Sequence, residues 1–140
     1  MISKKVILAI AIFAGVLFLR MFALEGFLVR GDSMSPTILS GDYVFISKLA
    51  YKFGNPERGD IIVAITRDGQ RLVKRIVGLP GEVVKIGDFK TNVDPEEYFA
   101  VGDNIGNSID SRELGAVDTW RVKGRVFGAL RLSKFEYLSF

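Results

Sequence analysis

Histidine and cysteine are both absent from the 140 residues of this chain, and the two gaps remove whole classes of chemistry. Without histidine there is no Ser-His relay and no imidazole metal ligand, and without cysteine there is no thiol nucleophile and no thiolate zinc site. Any hydrolytic mechanism must take its base from another side chain. The lack of cysteine also rules out disulfides, so the sequence carries no mark of its redox compartment. A basic footprint is missing too, despite a net charge of +3 from 19 Lys and Arg against 16 Asp and Glu. Lys4, Lys5 and Arg20 stand against Glu25 in the first 29 residues, which leaves 16 basic and 15 acidic side chains in the rest. That near balance gives no surface for a phosphate backbone and excludes nucleic acid as a partner. The length allows one ordinary domain core.

What is abundant is apolar residues, 49% of the chain, and they crowd the front. Val6 to Leu24 is interrupted only by Arg20; as a helix it would extend roughly 29 Å against a hydrocarbon core of about 30 Å. The expectation is a retained N-terminal transmembrane anchor over residues 1–25. A removable signal peptide and a buried core helix are the alternatives. The signal peptide lacks its small-x-small cleavage site, because Met21 and Phe22 stand at the outer positions before Ala23 and Leu24. Lys4 and Lys5 ahead of the run put the N-terminus on the cytoplasmic side and the rest of the chain across the membrane. Arg20 is expected to reach back to the headgroups of the membrane lipids.

From residue 26 to 140 the pattern is short β-rich pieces broken by Gly and Asp. Strands are expected at Phe27–Arg30, Tyr43–Ser47, Asp60–Thr66, Arg71–Val77, Glu82–Ile86, Tyr98–Val101 and Trp120–Phe127. Asp68-Gly69 between two aliphatic runs is the clearest hairpin. The fold class is mostly β, a small partly open barrel or sandwich preceded by the one helix.

Three clusters could carry chemistry. In Gly31-Asp32-Ser33-Met34-Ser35-Pro36-Thr37-Ile38 a serine follows a strand within a turn, where serine is ordinarily a turn former. In the strand from Leu72 to Val77, period-2 alternation sets Leu72, Lys74 and Ile76 on one face and Val73, Arg75 and Val77 on the other. A lysine flanked by aliphatic side chains on a core face loses solvation, which lowers its pKa and makes it a candidate base; on an edge strand it would only deter aggregation. The third cluster, Gly102 to Arg112, is dense in short polar residues and holds an expected Asp110–Arg112 pair. A turn serine, a desolvated lysine and a second serine at Ser108 are the parts of a Ser/Lys hydrolase.

At these residues the sequence resembles the type I signal peptidases, membrane-bound serine endopeptidases that remove signal peptides from exported preproteins. The nucleophile box S-M-x-P-T is matched from Ser33 to Thr37, the R-G-D box from Arg58 to Asp60, the lysine box K-R-x-x-G-x-P-G-[DE] from Lys74 to Glu82, and the last box G-D-N-x-x-x-S-x-D-S-R from Gly102 to Arg112. The resemblance implies that Ser33 is the nucleophile and Lys74 the general base. It makes Ser108 the hydroxyl that positions the amine, with Asp110 and Arg112 holding the loop. The backbone N–H of Ser33 would be one oxyanion donor. Many members place a second, hydroxyl donor two residues earlier; that position is Gly31 here, so a backbone N–H would have to serve. Pockets for small residues at positions −1 and −3 of the signal peptide would be lined by Phe27, Val29, Met34, Ile38, Leu72 and Val73. No metal or organic cofactor is implied.

Two departures stand out. Ile105 occupies a position where many bacterial members carry arginine, and the stretch between Val84 and Val101 is too short for the second β domain of the large forms. The resemblance thus implies a minimal enzyme of the bacterial cytoplasmic membrane, acting on its extracytoplasmic side. Rival readings are a specialised peptidase for pilin or conjugation precursors, a self-cleaving regulator with a similar dyad, and a catalytically silent membrane-anchored binding domain.

Overall fold

The structure is a computed structural model and describes residues 3–140, apart from the side chains of residues 20–22. A helix, α1 (Lys4–Phe22), leads into strand β1 (Leu24–Leu28). The strand thus starts inside the stretch expected to be anchor. The apolar side chains of α1 from Val6 to Leu19 are exposed. Among the described residues no helix is long and apolar enough to cross a membrane, and the expected placement of Arg20 lies outside those residues.

The other strands are β2 (Tyr43–Ser47), β3 (Ile61–Ile65), β4 (Arg71–Gly78), β5 (Val83–Ile86), β6 (Phe89–Asn92), β7 (Glu97–Val101), β8 (Val117–Asp118), β9 (Val122–Arg131) and β10 (Glu136–Ser139), with a one-turn helix α2 (Ser111–Leu114) before β8. The main sheet runs β1-β2-β9-β3-β4-β7-β8, with β10 paired to β9, and β5-β6 forms a separate hairpin. The expected hairpin at Asp68-Gly69 joins β3 to β4, its Gly69 at φ +86°, a left-handed value that favours glycine.

The sheet curls into a half-barrel. Val29, Met34, Ile38, Val44, Val63, Val73 and Val126 meet on one face, while Ile62, Ala64, Ile76, Tyr98 and Ala100 pack on the other. Curling also brings β1 opposite the first half of β4: Arg71 Nη1 lies 2.5 Å from Glu25 Oε1, and its guanidinium stands 5.8 Å from the centre of the Phe27 ring. Along that half of β4 the backbone pairs with β3 only, because β7 joins at Arg75, Ile76 and Gly78. Among the described residues β1 pairs only with β2. Two unpaired strand edges therefore face each other across a slot.

Candidate active site

Ser33 sits in the turn after β1, and Lys74 in the middle of β4. The lysine is 4% exposed, and its Nζ donates to Ser33 Oγ at 2.7 Å, the amine's one hydrogen bond among the described residues. The register explains the burial: Lys74 pairs with Ile62 on β3, and its face of the sheet carries Ala64, Ile76 and Ala100. Desolvation pushes the ammonium below the ordinary lysine pKa. The negative charge of Asp110 opposes that shift and Arg112 adds to it.

The turn is tied down from the other side by the segment after β7. Asn104 N–H donates to the Ser33 carbonyl at 2.9 Å, and Asn104 Nδ2 donates to the Asp32 carbonyl at 3.1 Å. Gly102 is the hinge of this contact. A Cβ there would fall 2.4 Å from the Ser33 carbonyl oxygen and 2.2 Å from Ser108 Oγ, so no other residue lets the two segments approach so closely. Arg75, on the opposite face of β4 from Lys74, grips Asp103 with two hydrogen bonds of 2.8 and 2.7 Å and donates a third to the Gly59 carbonyl at 2.8 Å. Gly102, Asp103, Asn104 and Arg75 lie inside the matched boxes, and it is their contacts that show what they do.

Asp110 is 1% exposed and fully engaged. It accepts from Gly102 N–H (2.9 Å), Ser108 Oγ (2.6 Å), Arg112 N–H (3.2 Å), Arg112 Nε (2.9 Å) and Arg112 Nη2 (2.9 Å). Burial alone would raise its pKa; the hydrogen bonds from Arg112, Ser108 and Gly102 outweigh burial and hold it at about 2. Arg112 Nη2 also donates to the Ile105 carbonyl at 2.9 Å, so the backbone at this position is held although its side chain carries no charge.

Three of the expected residues are placed differently by the structure. Ser108 makes no hydrogen bond to Lys74 among the described residues; its hydroxyl donates to the Asp110 carboxylate at 2.6 Å. Gly31 has its N–H committed to Ser40 Oγ at 3.2 Å, whereas the Ser33 N–H has no partner among the described residues. Of the six pocket residues, Phe27, Val29, Met34, Ile38 and Val73 meet in one apolar cluster beside the slot. Leu72 stands apart, lining a cavity on the opposite face together with Lys74. A further ion pair has no signal in the sequence: Arg131 Nη2 lies 3.0 Å from Asp42 Oδ2 and donates to the Thr37 carbonyl at 3.3 Å, bracing the far end of the Ser33 turn. Arg131 and Asp42 are 89 residues apart, a separation at which no local spacing signals contact.

Comparison with known proteins gives concordant results. The family model described as signal peptidase, peptidase S26, matches residues 2–94 and 85–130. A signal peptidase I of Bacillus amyloliquefaciens is 32% identical, covering 99% of this chain and 84% of that protein. One of Bacillus licheniformis is 33% identical over 86% of this chain and 82% of its own length. A probable signal peptidase I-2 of Synechocystis is 29% identical over 90% of this chain and 70% of its own.

Proposed function

Because the chain belongs to the signal peptidase family, peptidase S26, we propose that it is a serine endopeptidase that cleaves signal peptides from preproteins with a Ser33/Lys74 dyad. The observation that carries this reading is the 2.7 Å contact between Ser33 Oγ and the buried Lys74 amine. With the amine neutral, the same contact runs the other way, the hydroxyl donating to the nitrogen lone pair.

Lys74 then takes the Ser33 proton as Oγ bonds to the carbonyl carbon at the cleavage site, and the oxyanion meets the free Ser33 N–H. Collapse breaks the peptide C–N bond, and the Lys74 ammonium returns its proton to the departing amine of the mature protein. The acyl group remains on Ser33. Lys74 next takes a proton from water, whose oxygen attacks the ester carbon; the bond from that carbon to Ser33 Oγ breaks, Lys74 returns the proton to Oγ, and the signal peptide leaves as a carboxylic acid.

The substrate reaches this centre as an extended strand in the slot between β1 and the first half of β4, where backbone groups on both edges are open to it. Side chains at −1 and −3 face the cluster of Phe27, Val29, Met34, Ile38 and Val73, whose filled apolar surface admits small residues. The helix α1 serves as the membrane anchor, a reading supported by its exposed apolar surface and by Lys4 and Lys5 at its start. The N-terminus then lies in the cytoplasm and the site on the extracytoplasmic side.

The test is cleavage of a preprotein with an Ala-x-Ala site by the detergent-solubilised full chain and by Ser33→Ala, with sequencing of the new N-terminus. Cleavage after the last Ala by the native chain alone is expected. No cleavage by either, with Ser33 inert to a serine-acylating probe, would leave a binding domain of peptidase shape.

A further inference from the structure

The cavity that holds Leu72 does not belong to the −1 and −3 cluster, and the proposed reaction gives it no part. It measures about 300 Å³, room enough for an aromatic side chain. Its walls are largely apolar, among them Ala64, Leu72, Ala100, Leu114 and Val117, and it reaches Lys74 and Asp110. It lies on the Leu72–Lys74 face of β4, beside the stretch where β7 has not yet joined the strand.

Strand geometry connects this cavity to the slot. A peptide paired to β4 along Arg71–Val73 alternates its side chains between the two faces of the sheet. Residues on the Val73 side meet the cluster of Met34 and Ile38; those on the Leu72 side meet the cavity. If −1 and −3 take the first side, −2 takes the second. We propose that this cavity is the subsite for the −2 side chain of the signal peptide and that it selects large apolar residues there. The proposal rests on the peptidase reading and adds a second specificity element to it, on the opposite face from the small-residue pockets.

Leu114 offers the handle. It lines the cavity from the end of α2 and is 51% exposed, so it can be changed at little structural cost. The experiment measures kcat/KM for preproteins that differ only at −2, as Ala-Gly-Ala, Ala-Leu-Ala and Ala-Phe-Ala, with the native chain, Leu114→Trp and Leu114→Ala, each checked for a cooperative thermal transition. The native chain should prefer Leu and Phe over Gly by about tenfold, the usual value of apolar contact in a pocket. The Phe-to-Gly ratio should fall toward one in Leu114→Trp, which fills the cavity, and fall less in Leu114→Ala, which removes one wall. Cleavage of all three substrates at equal efficiency by the native chain would overturn the subsite and leave the peptidase standing. So would a native preference that both variants keep in full. No cleavage of any substrate would overturn the peptidase reading and the subsite with it.

Discussion

Lys74 in β4 and Asp110 ahead of α2 are buried to nearly the same degree, 4% and 1% exposed, yet one makes a single hydrogen bond and the other accepts five. Both carry a charge that water would otherwise solvate, and burial alone disfavours that charge in each. For Asp110 the protein replaces the lost water group by group, and the carboxylate stays ionised down to about pH 2. For Lys74 it does not, and the amine loses its proton more readily than in water. The difference separates a solvated-in-place scaffold charge from the one proposed to react. The carboxylate is satisfied and fixes the loop; the amine is left with one partner, and its lowered pKa is what the base proposed beside Ser33 requires.

Replacing the amine breaks the comparison most sharply. Lys74→Arg should lose the general base, at a cost of about 10² to 10⁴ in kcat, because a guanidinium holds its proton. Lys74→Met should lose as much activity yet leave the midpoint of thermal unfolding unchanged or raised, since an apolar side chain in that site needs no solvation. A Lys74→Arg enzyme of native activity would remove the dyad from the mechanism. At Asp110 the signs reverse. Asp110→Asn leaves Arg112 without its counter-charge and should cost about 3 kcal/mol, read by urea denaturation.

The pH dependence sharpens the same contrast. The Lys74 pKa is lowered by folding, so the fraction of neutral base, and with it the single-turnover rate, should rise as pH increases through that lowered value. Asp110 falls from an ordinary 3.8 to about 2, so at acid pH the carboxyl group binds fewer protons in the fold than in the unfolded chain. Its contribution, about 2 kcal/mol, is complete above pH 4 and is lost as pH falls toward 2. Denaturation midpoints across that range should drop in the native chain and stay flatter in Asp110→Asn.

Much of this was legible because local pattern carried it. Alternation placed Leu72, Lys74 and Ile76 on one face, and Tyr43–Ser47 falls on β2 residue for residue, since aliphatic and aromatic residues between turn formers leave few other choices. β6 and β10 have no such signal: Phe89–Asn92 and Glu136–Ser139 are too short and polar to stand out, and neighbouring strands decide their pairing. β9 starts two residues after the expected Trp120 and runs on to Arg131, because the edges of β2 and β10 continue to pair with it. The site's three clusters were visible as motifs, but their cross-links were not. Gly102 is forced by an approach to the carbonyl of Ser33, 69 positions earlier, and nothing in a glycine's own neighbourhood reports such a distant contact.

The smallest expected effect tests the finest distinction, the route by which Ser108 acts. Its hydroxyl donates to Asp110 and makes no hydrogen bond to Lys74 among the described residues, so Ser108→Ala should remove one of five bonds to the carboxylate, costing about 1 kcal/mol of stability, and lower kcat by less than tenfold with KM unchanged. A direct role on the amine predicts a similar single-variant loss, so the single variant does not distinguish the two. A double-mutant cycle does. If Ser108 works through Asp110, then in an Asp110→Asn background the added Ser108→Ala change should cost little, because the charge it was holding has gone. If instead the two losses multiply, Ser108 reaches Lys74 by its own path, and Asp110 would be a purely structural clasp that happens to share its loop.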